Sequence, residues 1–186
     1  GGAPKFPQPM TIEFVLRRMA GGDERGATMA RFTLEKMADG GIHDQLGGGF
    51  HRYATDAIWL VPHFEQMLYD NAQLARTYLR AWATLPGRDR PAIDRYREVG
   101  IGVLEYALRE LFRDDGTFAA SQDADTEGVE GATFTWTADE IDGLLGDGSG
   151  AAEFRAVYGV RDEGNWEGRT ILSRLQPAVA EDGTVD

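Results

Sequence analysis

The sequence contains no cysteine. Disulfides, thiolate nucleophiles and cysteine-ligated metals are therefore excluded within it. That absence fits a reducing compartment, and the cytoplasm is the expected location. No apolar run approaches the roughly 20 residues that a membrane span needs. Stretch 101–108 comes nearest, and glycine and glutamate interrupt it. The opening Gly-Gly-Ala-Pro-Lys-Phe-Pro lacks the basic and apolar regions of a signal peptide. Positive charge is scarce as well, with 19 basic against 31 acidic residues and a net charge of -12. Such a field repels a phosphate backbone and an anionic bilayer, so neither nucleic acid nor membrane is an expected partner. Several motifs are also missing. There is no HExxH, no P-loop, no G-x-S-x-G and no dinucleotide fingerprint in a strand–turn–helix setting. The spacing of His43, His51 and His63 matches no metal motif, so neither a metal nor a cofactor is expected.

What remains is ordinary globular material. At 42% apolar over 186 residues, the chain can build a single domain, 1–186, with a real core. Both ends read as cut, the first inside a Gly/Pro-rich stretch and the last in an acidic turn. Apolar spacing predicts a mainly all-α fold. A short helix is expected over 12–20 with Thr11 as N-cap, then a turn around Gly21, Gly22 and Gly26. A second helix is expected over 27–38, where Ala30, Leu34 and Met37 repeat, with Gly40 and Gly41 stopping it. Stretch 41–61 has no helical period and reads as an irregular loop with a short β-hairpin. Pro62 suits a first helical turn, and a helix is expected from there to about 84. Its apolar stripe is Phe64, Met67, Leu68, Ala75, Tyr78, Leu79 and Trp82. Its polar stripe is His63, Gln66, Asp70, Gln73 and Thr77. Pro86-Gly87 breaks it, and a partner helix over 91–112 completes an antiparallel hairpin. Short strands are expected at 117–120 and 133–136. The capping box Thr137-Ala-Asp-Glu140 starts a helix at Ala138, another covers 151–158, and the rest from Gly159 is mostly loop.

The polar chemistry is concentrated between positions 43 and 71, where all three histidines fall. Asp44, Gln45, Arg52, Tyr53, Asp56, Trp59, Glu65, Asp70 and Asn71 accompany them. Imidazole exchanges protons near neutral pH, and carboxylates orient it. Tyr53 and Trp59 could stack on a sugar face. The stretch reads either as a substrate pocket or as a loop whose polar groups satisfy its own backbone. His51 is the strongest candidate for proton transfer, beside Arg52 as a ligand contact. His63 reads equally as a neutral base or a loop anchor, and His43-Asp44 as a ligand pair or a structural one. Glu65 reads as a helix-dipole partner before a catalyst. Asp70 and Asn71 are either ties for the loop or groups facing a lumen. A second cluster holds Gln122, Asp123, Asp125 and Glu127. Paired carboxylates suit glycoside hydrolysis; a solvated turn is the plain alternative, and the EF-hand pattern is incomplete.

Four blocks carry a resemblance. They are GGAPKFPQP at 1–9, GGIHDQLGGGFHRYATDAIWLVPHFEQMLYDNAQLA at 40–75, SQDADTEGVEGATFTWT at 121–137 and GNWEGRTIL at 164–172. Together they resemble the thioredoxin-domain-containing family that includes the spermatogenesis-associated thioredoxin-like proteins. The resemblance implies a thioredoxin-like domain followed by a six-hairpin (α/α) toroid, similar to N-acylglucosamine 2-epimerases and six-hairpin glycosidases. This chain would hold only the early hairpins of such a toroid, with the thioredoxin-like domain and later hairpins absent. The helix expected from Pro62 would then be an inner one, with the 91–112 helix outside it. By that analogy the expected ligand is a carbohydrate or polyol, and His51, His63, Asp123 and Asp125 are the catalytic candidates. His43, Asp44, Gln45, Arg52, Tyr53, Trp59, Glu65, Asp70, Asn71 and Gln122 would bind it. The alternative is a non-catalytic scaffold for the thioredoxin-like domain. A partial toroid is also expected to be inactive alone and to self-associate through uncovered apolar faces.

Overall fold

The computed structural model describes residues 2–19, 22–85, 90–146 and 148–175. The turn at Gly21, the Pro86-Gly87 break and the terminal acidic turn expected from the sequence lie outside these residues. Among them are six α-helices and four two-stranded antiparallel pairs, so the chain is mainly helical.

Helix α1 (Pro9–Met19) starts on proline itself, whose fixed φ and missing N–H suit a first turn. It begins earlier than the expected Thr11 cap. Ile12 and Leu16, one turn apart, face inward. Helix α2 (Glu24–Asp39) is capped by Asp23, whose carboxylate accepts the Gly26 N–H at 2.9 Å. Ala30, Leu34 and Met37 form its buried stripe. It stops where Gly40 and Gly41 pass against the backbone of Trp59 and Leu60. A β-carbon at either glycine would collide with those carbonyls.

From there the sequence expectation fails. The segment beginning at Pro62 is extended, not helical. Strand β1 (Tyr53–Ala54) pairs with β2 (Pro62–His63), setting Tyr53 opposite His63. Strand β3 (Gln66–Met67) pairs with β4 (Ser121–Gln122), which comes from much later in the chain. Helix α3 (Leu68–Thr84) begins only after β3. These pairings, with His51 on the Phe64 carbonyl and the Arg52 N–H on that of Glu65, take up backbone groups of Pro62–Met67 in place of helical bonds. His63 and Glu65 therefore do not sit at a helix N-terminus, and Glu65 is not the helix-dipole partner expected from the sequence.

Helix α4 (Arg90–Tyr106) lies antiparallel to α3. Ala75 and Leu79 meet Gly100, Tyr78 meets Tyr96, and Trp82 donates to Asp94, in reversed order along the two helices. Its last turn, Ala107–Leu111, widens into a π-helical turn, closed by the Phe112 N–H on the Ala107 carbonyl at 3.0 Å. In the 117–120 stretch only Phe118 bridges, to Phe112. The hairpin β5 (Asp125–Thr126) and β6 (Val129–Glu130) follows. Strand β7 (Thr135–Trp136) precedes α5 (Ala138–Leu145), which carries the expected capping box. After α6 (Ser149–Tyr158), β8 (Thr170–Ile171) returns to pair with β7.

The main core joins α1, α2, α3 and α4 with Ile42, Phe50, Ala54 and Trp59 of the loop. A small second core gathers Ala138, Ile141, Val160 and Leu172. A third, Phe64, Ala124 and Ile171 with Val61, Phe134 and Trp166 packed on it, ties the two halves together over the histidine loop. No helix among the described residues is long and apolar enough to cross a membrane.

Candidate functional site

The polar residues of the loop separate into two layers. The inner layer surrounds a hollow of about 10 Å³ bordered by His43, Asp44, Gln45, His51, Phe64 and Phe134. That is room for about one water molecule. His51 is 1% exposed, so no larger solute meets it in this arrangement. Its Nδ1 lies 2.9 Å from the Phe64 carbonyl, and the Nδ1 of His43 lies 3.2 Å from that of Ala38. A carbonyl only accepts, so each Nδ1 carries the proton and each Nε2 keeps a lone pair. The Nε2 of His43 is buried without a hydrogen-bond partner among the described residues. Phe64 and Phe134 present their edges or faces to the His51 ring at 5.3 and 4.7 Å between centroids. Burial in these surroundings lowers both imidazoles from 6.5 to about 4, with the Asp44 charge opposing only in part.

Other expected ligand contacts hold the loop to itself. The Gln45 amide donates to the carbonyls of Ala38 and Gly40 at 3.0 Å and of His43 at 3.2 Å. Asp44 accepts the Leu46 and Gly47 N–H groups at 3.0 and 2.9 Å. Asn71 accepts the Phe50 N–H at 2.7 Å and donates to the Phe50 and Met67 carbonyls at 3.0 Å. Trp59 is buried with φ 75°, and the Lys5 ammonium stands 4.2 Å over its ring. That face is not open to a sugar.

The outer layer is half-exposed and sets acidic and basic side chains next to one another. Because Tyr53 pairs with His63, and the Arg52 N–H reaches the Glu65 carbonyl at 2.8 Å, their side chains emerge side by side. Arg52 donates to Glu65 Oε2 at 3.1 Å. The same oxygen lies 4.0 Å from His63 Nε2, and His63 Nδ1 lies 3.0 Å from Glu130 Oε1. Tyr53 stacks on His63 at 5.1 Å. Asp70, in the first turn of α3, joins this group electrostatically. Partial burial raises its carboxyl from 3.8 to about 6, with Arg52 opposing and Glu65 reinforcing.

The acidic segment does meet the histidine loop, but through a residue that local sequence did not single out. Glu130, 67 positions from His63, makes the contact. Asp123 accepts the Asp125 N–H at 3.3 Å, and both residues are exposed, Asp123 just before the hairpin and Asp125 on it. Among the described residues neither hydrogen-bonds to a histidine. Gln122 accepts the Tyr106 hydroxyl at 3.0 Å and pairs with Gln66 across β3 and β4. Gln66, read as part of a polar helical stripe, lies in a strand and is fully buried, with both amide atoms unpartnered among the described residues. Tyr69, which is half-exposed and bears on the Arg52 charge, was also missed. The usable signal for Glu130 was the Glu127-Gly128 turn, where two positive φ values fold the hairpin back. Among the described residues no three His, Asp or Glu side chains are grouped to hold a metal ion.

No family model matches the chain. Individual proteins do. Human spermatogenesis-associated protein 20 is 42% identical over 154 residues, covering 77% of this chain and 19% of that protein. The rat protein of the same name is 37% identical over 182 residues, covering 88% of this chain and 22% of its own. An uncharacterized protein of Caenorhabditis elegans is 39% identical over 183 residues, covering 89% and 24%. The chain thus spans about a fifth to a quarter of the length of the curated relatives it matches, and is homologous to that segment of them.

Proposed function

We propose that this chain forms one wall of a binding site for a sugar or sugar-like polyol within a larger (α/α) toroid. The wall is the outer layer of Arg52, Tyr53, His63, Glu65, Asp70 and Glu130. His43 and His51 brace it from behind. The observation that carries the reading is the continuous chain from Arg52 through Glu65 and His63 to Glu130, held on paired strands at the mouth of α3. Alternating acids and bases offer donors and acceptors to vicinal hydroxyls, and Tyr53 adds an aromatic surface beside them. A carboxyl at about 6 can gain or lose a proton near neutral pH, so Asp70 takes the acid–base role in this reading. Homology to a segment of spermatogenesis-associated protein 20 supports the family resemblance on which the toroid rests.

Saturation-transfer NMR of the full chain with a panel of neutral monosaccharides and polyols tests the proposal. Binding by one stereochemical group is expected, lost in both Arg52→Gln and Glu65→Gln and retained in Asp123→Asn. Absence of binding across the panel, or binding untouched by the first two changes, refutes it.

A second reading has its own support. Gln45, Asp44, Asn71 and both inner histidines bond to main chain, as a scaffold requires. On that reading the chain presents a partner domain of thioredoxin type. Co-purification of the chain with an isolated thioredoxin-like domain of a relative favours it, and no association counts against it.

A further inference from the structure

A second hollow lies between α1 and α3, apart from the residues of the histidine loop. Pro9, Met10, Glu13, Phe14 and Arg17 of α1 face Gln73, Arg76 and Thr77 of α3 across a cavity of about 420 Å³. Small-molecule sites commonly fall between roughly 300 and 1,000 Å³. None of the site residues discussed above lines it.

Its charge is unlike that of the rest of the chain. Glu13, with a side chain only 13% exposed, receives three guanidinium groups on one oxygen: Arg80 at 2.9 Å, Arg76 at 3.6 Å and Arg17 at 3.8 Å. Three cations on one anion leave a local positive surplus in a protein of net charge -12. Arg80 is the close partner. Arg17 and Arg76 stand at the long edge of ion-pair distance with side chains 61% and 65% exposed, one on each helix. They are free to turn toward a second anion. The apolar wall is equally uncovered, with Met10 77% and Phe14 61% exposed.

We infer that this cavity binds a small organic carboxylate, its acid group between Arg17 and Arg76 and its apolar body against Met10 and Phe14. Guanidinium and carboxylate match as planar, bidentate partners, which an ammonium would not reproduce. The volume of the hollow and its charged rim suit a small molecule.

The probe is 3-phenylpropionate, compared with its neutral amide, by backbone amide NMR on the full chain. Saturable shifts confined to α1 and α3 are expected with the acid, and binding about tenfold or more weaker with the amide, as loss of a charged hydrogen-bonded pair implies. The double variant Arg17→Gln/Arg76→Gln should abolish acid binding, and Phe14→Ala should weaken it severalfold. Both arginines are largely exposed, so circular dichroism of the double variant should match the parent. The acid–amide comparison needs no variant at all. Equal binding of acid and amide, shifts centred elsewhere, or no saturable shift at millimolar acid each overturns the inference.

Discussion

The two polar layers of the loop both contain histidine and aspartate, and their histidines behave oppositely. In the inner layer, His43 and His51 are shut in by Phe50, Phe64 and Phe134 and donate to main-chain carbonyls. In the outer layer, His63 stands among Glu65, Glu130 and Tyr53 with solvent beside it. Burial with a carbonyl partner makes imidazole a neutral strut. Partial exposure beside carboxylates makes it a group that can meet a ligand. Residue type alone does not separate these roles; the aromatic cover does.

The comparison is broken most severely at Asn71. Its amide is the sole side chain bonded to both the N–H and the carbonyl of Phe50 among the described residues. Asn71→Ala leaves those buried groups unpaired and should cost about 3 kcal/mol or more, read from urea denaturation. An outer-layer change such as Glu65→Gln removes a part-exposed ion pair and should cost under about 1 kcal/mol. Similar losses for both would erase the distinction between the layers.

The next effect is in pH. Between 6.5 and about 4 the unfolded chain binds protons at His43 and His51 that the folded chain excludes. Stability contributed by keeping them neutral is present above pH 6.5 and is lost as pH falls through that window. The loss is at most on the order of 3 kcal/mol per histidine. Asp70 acts in the other direction, because its folded carboxyl takes up a proton near 6 while the unfolded one waits until 3.8. Asp70→Asn should therefore stabilise the chain at neutral pH by roughly 1 kcal/mol after allowance for partial solvation. That gain should vanish below pH 3.8, leaving a steeper acid loss above it. Chemical denaturation of parent and variant across this range reads both effects.

Much of this arrangement was legible in the sequence, and the misses share one cause. Ala30, Leu34 and Met37 gave α2, and Thr137 with Glu140 gave the start of α5, because helical spacing and capping are local. Pro62–Met67 was misread because Pro62 suits a helix start, and Phe64 and Met67 continue the stripe of Leu68, Ala75 and Tyr78. What holds that segment extended is pairing with Tyr53–Ala54 and with Ser121–Gln122, the latter distant in sequence. The histidine cluster was visible; its enclosure was not, since Phe134 and Ile171 arrive from far along the chain to close it. For the same reason Asp123 and Asp125 drew attention, while Glu130 makes the contact.

The most direct test of the division into layers is the nitrogen-15 NMR titration of the imidazole rings. His43 and His51 are expected to remain neutral, with the proton on Nδ1, until the pH falls to about 4. Protonation of either ring near 6.5, or a proton on Nε2 at neutral pH, contradicts the assignment of these two histidines to the frame behind the outer face.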